Sequence, residues 1–208
     1  LSGCRDQLVA DALERAPSAP WPRKIAASDL LQKLKNHKTD PSCSGDRWAA
    51  CQAKIEQHAR VLDVAEPRSG AALQVRAQAL RFAGNPDEGE RLLRENCHAF
   101  DGREGCLRTR VDVAAEMQPP THLLPAVRDY VAVACASAAA CANASTSMGD
   151  LLVSRGDIST AAIYYERAAR EHPTEARWLS LADTASRSGA HAQAAAALEK
   201  VAQLRGSA

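Results

Sequence analysis

Aromatic residues are scarce in this chain: Phe, Trp and Tyr together make up 4% of its 208 residues. A sheet sandwich leans on rings and β-branched side chains, whereas a core of Ala, Leu and Val points to closely packed helices. An excess of charge of one sign is also missing. The 26 Lys and Arg and 25 Asp and Glu leave a net charge of +1, so no strong field points to nucleic acid or to an acidic membrane surface. No run of 18 apolar residues occurs, so no segment reads as a membrane span. Signatures of catalysis and cofactor binding are absent: there is no G-x-S-x-G, Walker loop, G-x-G-x-x-G, H-E-x-x-H or C-x-x-C-H. Sustained period-two alternation is missing too, which argues against strands.

What the chain does have is cysteine, seven in all. Six fall into three local pairs: Cys43 with Cys51, Cys97 with Cys106, and Cys135 with Cys141. Metal ligands, redox dithiols and structural staples are all readings of such brackets. None of the three is a C-x-x-C, the spacing that zinc sites and catalytic dithiols favour, and the count suits an oxidising compartment. The seventh, Cys4, stands alone in "LSGC". That tetrapeptide resembles the lipobox of bacterial lipoproteins. The resemblance covers four residues. It implies that Leu1 to Gly3 are removed and that Cys4 carries acyl chains, which anchor the protein to a membrane without inserting it.

Residues 1–27 read as this lipobox-like N-terminus followed by a Pro-rich tether. Asp6 to Arg15 can form a short helix. Pro17, Pro20 and Pro22 then break it, and Trp21 is a sticky side chain that could dock on the domain or on a partner. Ser28 with Asp29 reads as an N-cap before "LLQKLKNH". From there helical runs of roughly 12–17 residues, with apolar spacing of three and four, alternate with turn residues. The sum is an all-α chain of about ten helices. The six histidines, His37, His58, His98, His122, His172 and His191, form no i, i+4 pair on one helix and read as solvated. Arg155-Gly156-Asp157 reads as a hairpin turn, with Gly156 taking the turn geometry and Asp157 capping the next helix.

Turn glycines recur. Gly156 and Gly189 lie 33 residues apart, and Gly84 lies 72 before Gly156. Met148-Gly149, Leu152, Gly156, Ala161, Tyr165, Ala168 and Pro173 fall at the offsets of the tetratricopeptide pattern, with Ser145 where the pattern expects a bulky residue. Trp178, Leu181-Ala182, Ala185, Gly189, Ala194, Leu198 and Val201 follow in the same register. The chain therefore resembles the tetratricopeptide repeats over residues 70–205, best in the units 70–97, 104–137, 142–173 and 175–205. The second of these requires a longer turn, with Ala126 and Tyr130 in its second helix. An earlier pair near 28–39 and 46–64 makes about five hairpins. The resemblance implies a right-handed superhelical solenoid over 28–205. Gly149, Ala161 and Ala182 would then sit where helix backbones approach closely.

On that frame each cysteine bracket falls at an inter-helix corner, where two helix ends come close enough for a disulfide. "ENCHAFDGREGC" and "VACASAAACANAS" also resemble the junctions of the disulfide-stapled Sel-type relatives of these repeats. The spacings vary here, and the last junction, "EHPTEAR", has no cysteine. The resemblance implies local staples Cys43–Cys51, Cys97–Cys106 and Cys135–Cys141.

These resemblances imply an interaction protein and not an enzyme. Its first helices would line a concave groove with Gln74, Gln78 and Arg81, then Arg108 and Asp112, then Asn143, Thr146 and Asp150, then Asp183 and Ser186. Such a polar row suits a partner peptide or helix. With the lipobox, the expectation is an adaptor or assembly factor, pilotin-like, lipid-anchored on the periplasmic side of the bacterial outer membrane. Its partner is expected to be another envelope protein, with no nucleic acid, cofactor or metal. The alternative is a soluble periplasmic or secreted repeat protein that binds or acts on cell-wall fragments or β-lactam-type ligands.

Overall fold

The computed structural model describes residues 2–36 and 42–206, with side chains from Gln7 onward. His37 and the Cys4 side chain lie outside the described residues. Among the described residues there is no strand, and eleven α-helices run in sequence. They are α1 (Ser2–Arg15), α2 (Pro20–Lys35), α3 (Trp48–Ala65), α4 (Ala71–Phe82), α5 (Pro86–Asn96), α6 (Arg103–Ala114), α7 (Leu123–Ala134), α8 (Ala138–Ser154), α9 (Ile158–Glu171), α10 (Glu175–Arg187) and α11 (His191–Gly206). Short 3₁₀ turns at Gly45–Arg47 and Cys97–Ala99 precede α3 and follow α5. Two compact units result, Leu1–Ala126 and Val127–Ala208, with the divide inside α7.

In the first unit α2 packs on α3 and α4, α3 on α4, α4 on α5 and α6, and α5 on α6. Its cores are small and aliphatic. Leu73, Ala77, Leu93 and Val113 surround the Cys97 and Cys106 sulfurs, and Leu34 and Ile55 surround Cys43 and Cys51. Gly89 shows why residues stay small at the crossing. A Cβ there would come within 2.8 Å of the Ala77 carbonyl oxygen, so α5 rests directly on the α4 backbone.

A buried charge cluster ties α5 to α6. Glu90 is 1% exposed and accepts from Arg110 Nε and Arg94 Nη1, both at 2.8 Å. The His122 Nδ1, just ahead of α7, lies 4.0 Å from the same carboxylate. A buried carboxylate needs such partners to offset its lost hydration.

The N-terminal prolines act differently from the sequence expectation. Pro20 and Pro22 lie in the first turn of α2, where the missing N–H groups have no intrahelical partner in any case. The helix therefore starts at Pro20 and not after a cap at Ser28. Ser28 and Asp29 lie mid-helix, and the segment expected to be a tether is helical over 2–15 and from 20 onward. Ala27 and Leu34 of α2 are fully buried. Trp21 remains 63% exposed.

In the second unit α8 pairs with α9, α9 with α10, and α10 with α11. The local reasons are legible. Ser137, Asp157 and Thr174 cap α8, α9 and α10 by accepting from the N–H groups of Ala140, Thr160 and Arg177. Gly156 takes φ +80° in the α8–α9 turn, a conformation costly for residues with a Cβ. Gly149 has a different role from the one expected. Its near neighbour is a ring and not a backbone: a Cβ there would stand 2.9 Å from two carbons of the buried Tyr165. Ser145 is fully buried, and its Oγ has no hydrogen-bond partner among the described residues.

Three disulfides close at helix corners. Cys43–Cys51, Cys97–Cys106 and Cys135–Cys141 have Cα separations of 5.7, 5.5 and 3.9 Å. In each, the first cysteine lies in the connection between two helices and the second lies in the first turns of the helix that follows.

Candidate functional site

The polar row expected along the first helix of each hairpin falls on α4 and α6 in the first unit and on α8 and α10 in the second. In the first unit the five expected residues fall into three separate pairings on and between α4 and α6. Thr109 Oγ1 of α6 shares its one proton between the Gly105 carbonyl of its own helix at 3.0 Å and Gln74 Oε1 of α4 at 3.2 Å. Arg81 donates to Gln78 Oε1 at 3.0 Å and pairs with Glu116, in the turn just after α6. Arg108 lies 3.6 Å from Asp112. The row is less exposed than expected: Gln74, Gln78, Arg81, Arg108 and Asp112 are all half-buried. Burial raises the Asp112 pKa above the ordinary aspartate value, against the pull of Arg108 and Arg81 and with help from Glu116. The arrangement is a strip of fixed donors and acceptors, with Arg81 Nε buried and unpartnered among the described residues.

In the second unit Asn143, Asp150, Asp183 and Ser186 are exposed, and Thr146 is half-buried with its hydroxyl bonded to the Ala142 carbonyl at 2.9 Å. Arg177 of α10 donates to Asn143 Oδ1 of α8 at 2.8 Å. Tyr165 of α9 donates its hydroxyl to Asp150 Oδ1 at 2.5 Å. Burial first, and then the Asp150 carboxylate, hold the Tyr165 phenol protonated well above the ordinary tyrosine range. Asp183 pairs with Arg187 at 3.2 Å, one turn along α10. Ser186 follows Asp183 by three positions on the same helix.

Sequence reasoning missed Thr109, Glu116, Arg177 and Tyr165 as members of these networks. Tyr165 carried a signal, as the aromatic of its repeat, and the others carried none. The reading of all histidines as solvated fails at His58. It is buried between α2 and α3, with Arg23 Nη1 at 3.3 Å from Nδ1. Burial, with Arg23 and Lys54 nearby, lowers its pKa, so it is a neutral core acceptor. Among the described residues, no group of three or more His, Cys, Asp or Glu is placed to hold a metal ion, and no helix is long and apolar enough to cross a membrane.

No protein-family model matches the chain, and no curated protein is significantly similar to it.

Proposed function

We propose that this protein is a non-enzymatic interaction scaffold, a tetratricopeptide-like solenoid whose first helices hold a peptide or helix of another protein. The observation that carries this reading is the cross-helix bonding of the polar row: Gln74 with Thr109, Arg81 with Glu116, and Asn143 with Arg177. Bonds between neighbouring first helices fix donors and acceptors in place before a partner arrives, which lowers the ordering cost of binding. A row of unpaired side chains would have to be ordered by the partner itself.

The compartment we propose is the periplasmic side of a bacterial outer membrane, with Cys4 as the lipidated residue and another envelope protein as partner. Three disulfides support an oxidising setting. The test is photo-crosslinking from a reactive residue placed at Gln78, Asp112, Asn143 or Ser186 in the native host, with Arg60 and Glu199, on helices outside the row, as controls. One partner band from the row positions, lost when Cys4→Ala releases the protein from the membrane, is the expected result. Equal labelling from row and control positions would sink the groove reading, and unchanged membrane association of Cys4→Ala would sink the anchor.

A further inference from the structure

A second surface lies outside the first-helix row. In the second unit an open cleft of about 770 Å³ runs between α9 and α11, over α10. Trp178 and Leu181 of α10 and Ala197 of α11 form its apolar base, and Leu204 lines it near the end of α11. Leu181 and Ala197 are buried, at 2% and 1% exposure. The first unit has a cleft in the equivalent place, between α3 and α5 over α4, of about 240 Å³. With Gly84 and Gly189 aligned, Arg76 of α4 occupies the position of Leu181 in α10. Arg76 stands in its cleft and is held there by Glu56 at 2.9 Å and Asp63 at 2.7 Å. The second unit has a leucine at that position, and its cleft is open and apolar.

The rim charges indicate what fits. Glu166 of α9 is taken up by Arg170, one turn along the same helix, at 2.5 Å, and by Gln193 of the facing α11, which bridges the two walls at that end of the cleft at 2.9 Å. Lys200, on the α11 rim, donates to Gln203 at 3.1 Å, and among the described residues no carboxylate pairs with it. The rim therefore offers an uncompensated cation beside an apolar base. Length is the second constraint. The lining residues of α11 run from Gln193 to Leu204, which at about 1.5 Å per residue is roughly 17 Å, or three turns of helix. A trough between two helices suits a third helix, which packs by laying its side-chain ridges into such a groove.

We infer that this cleft docks an amphipathic helix of another protein, about three turns long. Its apolar stripe covers Trp178, Leu181 and Ala197, and an acidic residue beside the stripe meets Lys200. This site stands apart from the first-helix row, so each can fail without the other.

The probe is a fluorescein-labelled peptide of about 14 residues, with leucines at i, i+3, i+4 and i+7 and glutamates on the other face. A second peptide has lysine in place of each glutamate. Binding to the full chain is read by fluorescence anisotropy. The acidic peptide is expected to bind and the basic one to bind at least about fivefold more weakly. Lys200→Glu is expected to reverse that order, and Ala196→Trp, which fills the cleft from an exposed position, to weaken both. Asp150→Asn, on the first-helix row, is expected to change neither. Thermal melts report whether each variant is folded. Equal affinity for the two peptides, or binding unmoved by both cleft variants, overturns the inference. So does concentration-dependent dimerisation, read by light scattering, that Ala196→Trp abolishes, because the occupant would then be a second copy of this chain.

Discussion

Gly149→Ala sets two effects against each other, and the structure decides the sign. In an ordinary helix interior, alanine is more favourable than glycine by about 1 kcal/mol. Here the added Cβ would stand 2.9 Å from the Cε1 and Cζ carbons of Tyr165. That ring is 5% exposed, and its hydroxyl is tied to Asp150 at 2.5 Å, so it has no free space to swing into. Overpacking of this kind costs about 1–3 kcal/mol. Displacing the phenol weakens a hydrogen bond to a charged acceptor worth about 1.5–3 kcal/mol, less for an exposed carboxylate such as Asp150. The net expectation is a loss of about 1–3 kcal/mol, or a melting temperature about 3–9 °C lower for a chain of this size. Thermal and urea unfolding, followed by far-ultraviolet circular dichroism, measure it. The double variant Gly149→Ala/Tyr165→Leu should lose less than the sum of the two single variants, since removing the ring removes the clash. A Gly149→Ala protein as stable as the parent, or more so, would falsify the close-contact argument and leave helix propensity as the governing effect.

Four further outcomes are expected. Replacing Cys97 and Cys106 together by serine releases a short loop and costs about 2–3 kcal/mol on loop-closure entropy; denaturant unfolding under oxidising conditions checks it, and an unchanged midpoint would mean the pair is not bonded. Glu90→Gln leaves Arg110, whose side chain is 5% exposed, without its buried counter-charge and is expected to cost about 3–5 kcal/mol, measured by urea unfolding. Ser145→Ala removes a buried unpartnered hydroxyl and is expected to stabilise by about 1 kcal/mol; a destabilised variant would show that the hydroxyl has a partner in solution. The Asp112 pKa is raised in the folded state above the ordinary 3.8, so this carboxyl favours folding less once pH rises past that value. Asp112→Asn should therefore melt above the parent at neutral pH, with the gap closing as pH falls below about 4; a gap that widens in acid would reverse the assignment.

Much of the helical plan was legible in local sequence. The Asp157 cap, the turn at Gly156 and the apolar spacing of α8 to α11 are signals carried within a few residues, because backbone propensity and the i, i+3, i+4 period act over one or two turns; the caps at Ser137 and Thr174 were not read from the sequence. The three cysteine brackets could be placed at corners on the frame that the repeat resemblance supplied, and the partners of each lie fewer than ten positions apart. The prolines misled because their effect depends on where a helix begins. Pro20 and Pro22 are harmless within a first turn and breaking inside a helix, and the helix that starts at Pro20 buries Ala27 and Leu34 within the first unit, where it packs on α3 and α4.

The repeat spacing put the polar-row residues on helices, where the structure has them on α4, α6, α8 and α10, but it did not give their bonding. The sequence by itself determined an all-helical chain, its turns, and which residues share a helix face. Only the tertiary structure decided that Thr109 answers Gln74, that Tyr165 fills the space left by Gly149, that His58 and Glu90 are buried with arginine partners, and that the cleft holding Arg76 in one unit is open over Leu181 in the other. Each of these joins residues from different helices, often 20–35 positions apart in the chain. What brings such residues into contact is the rotation and crossing of helices once packed, a property that no short stretch of sequence carries.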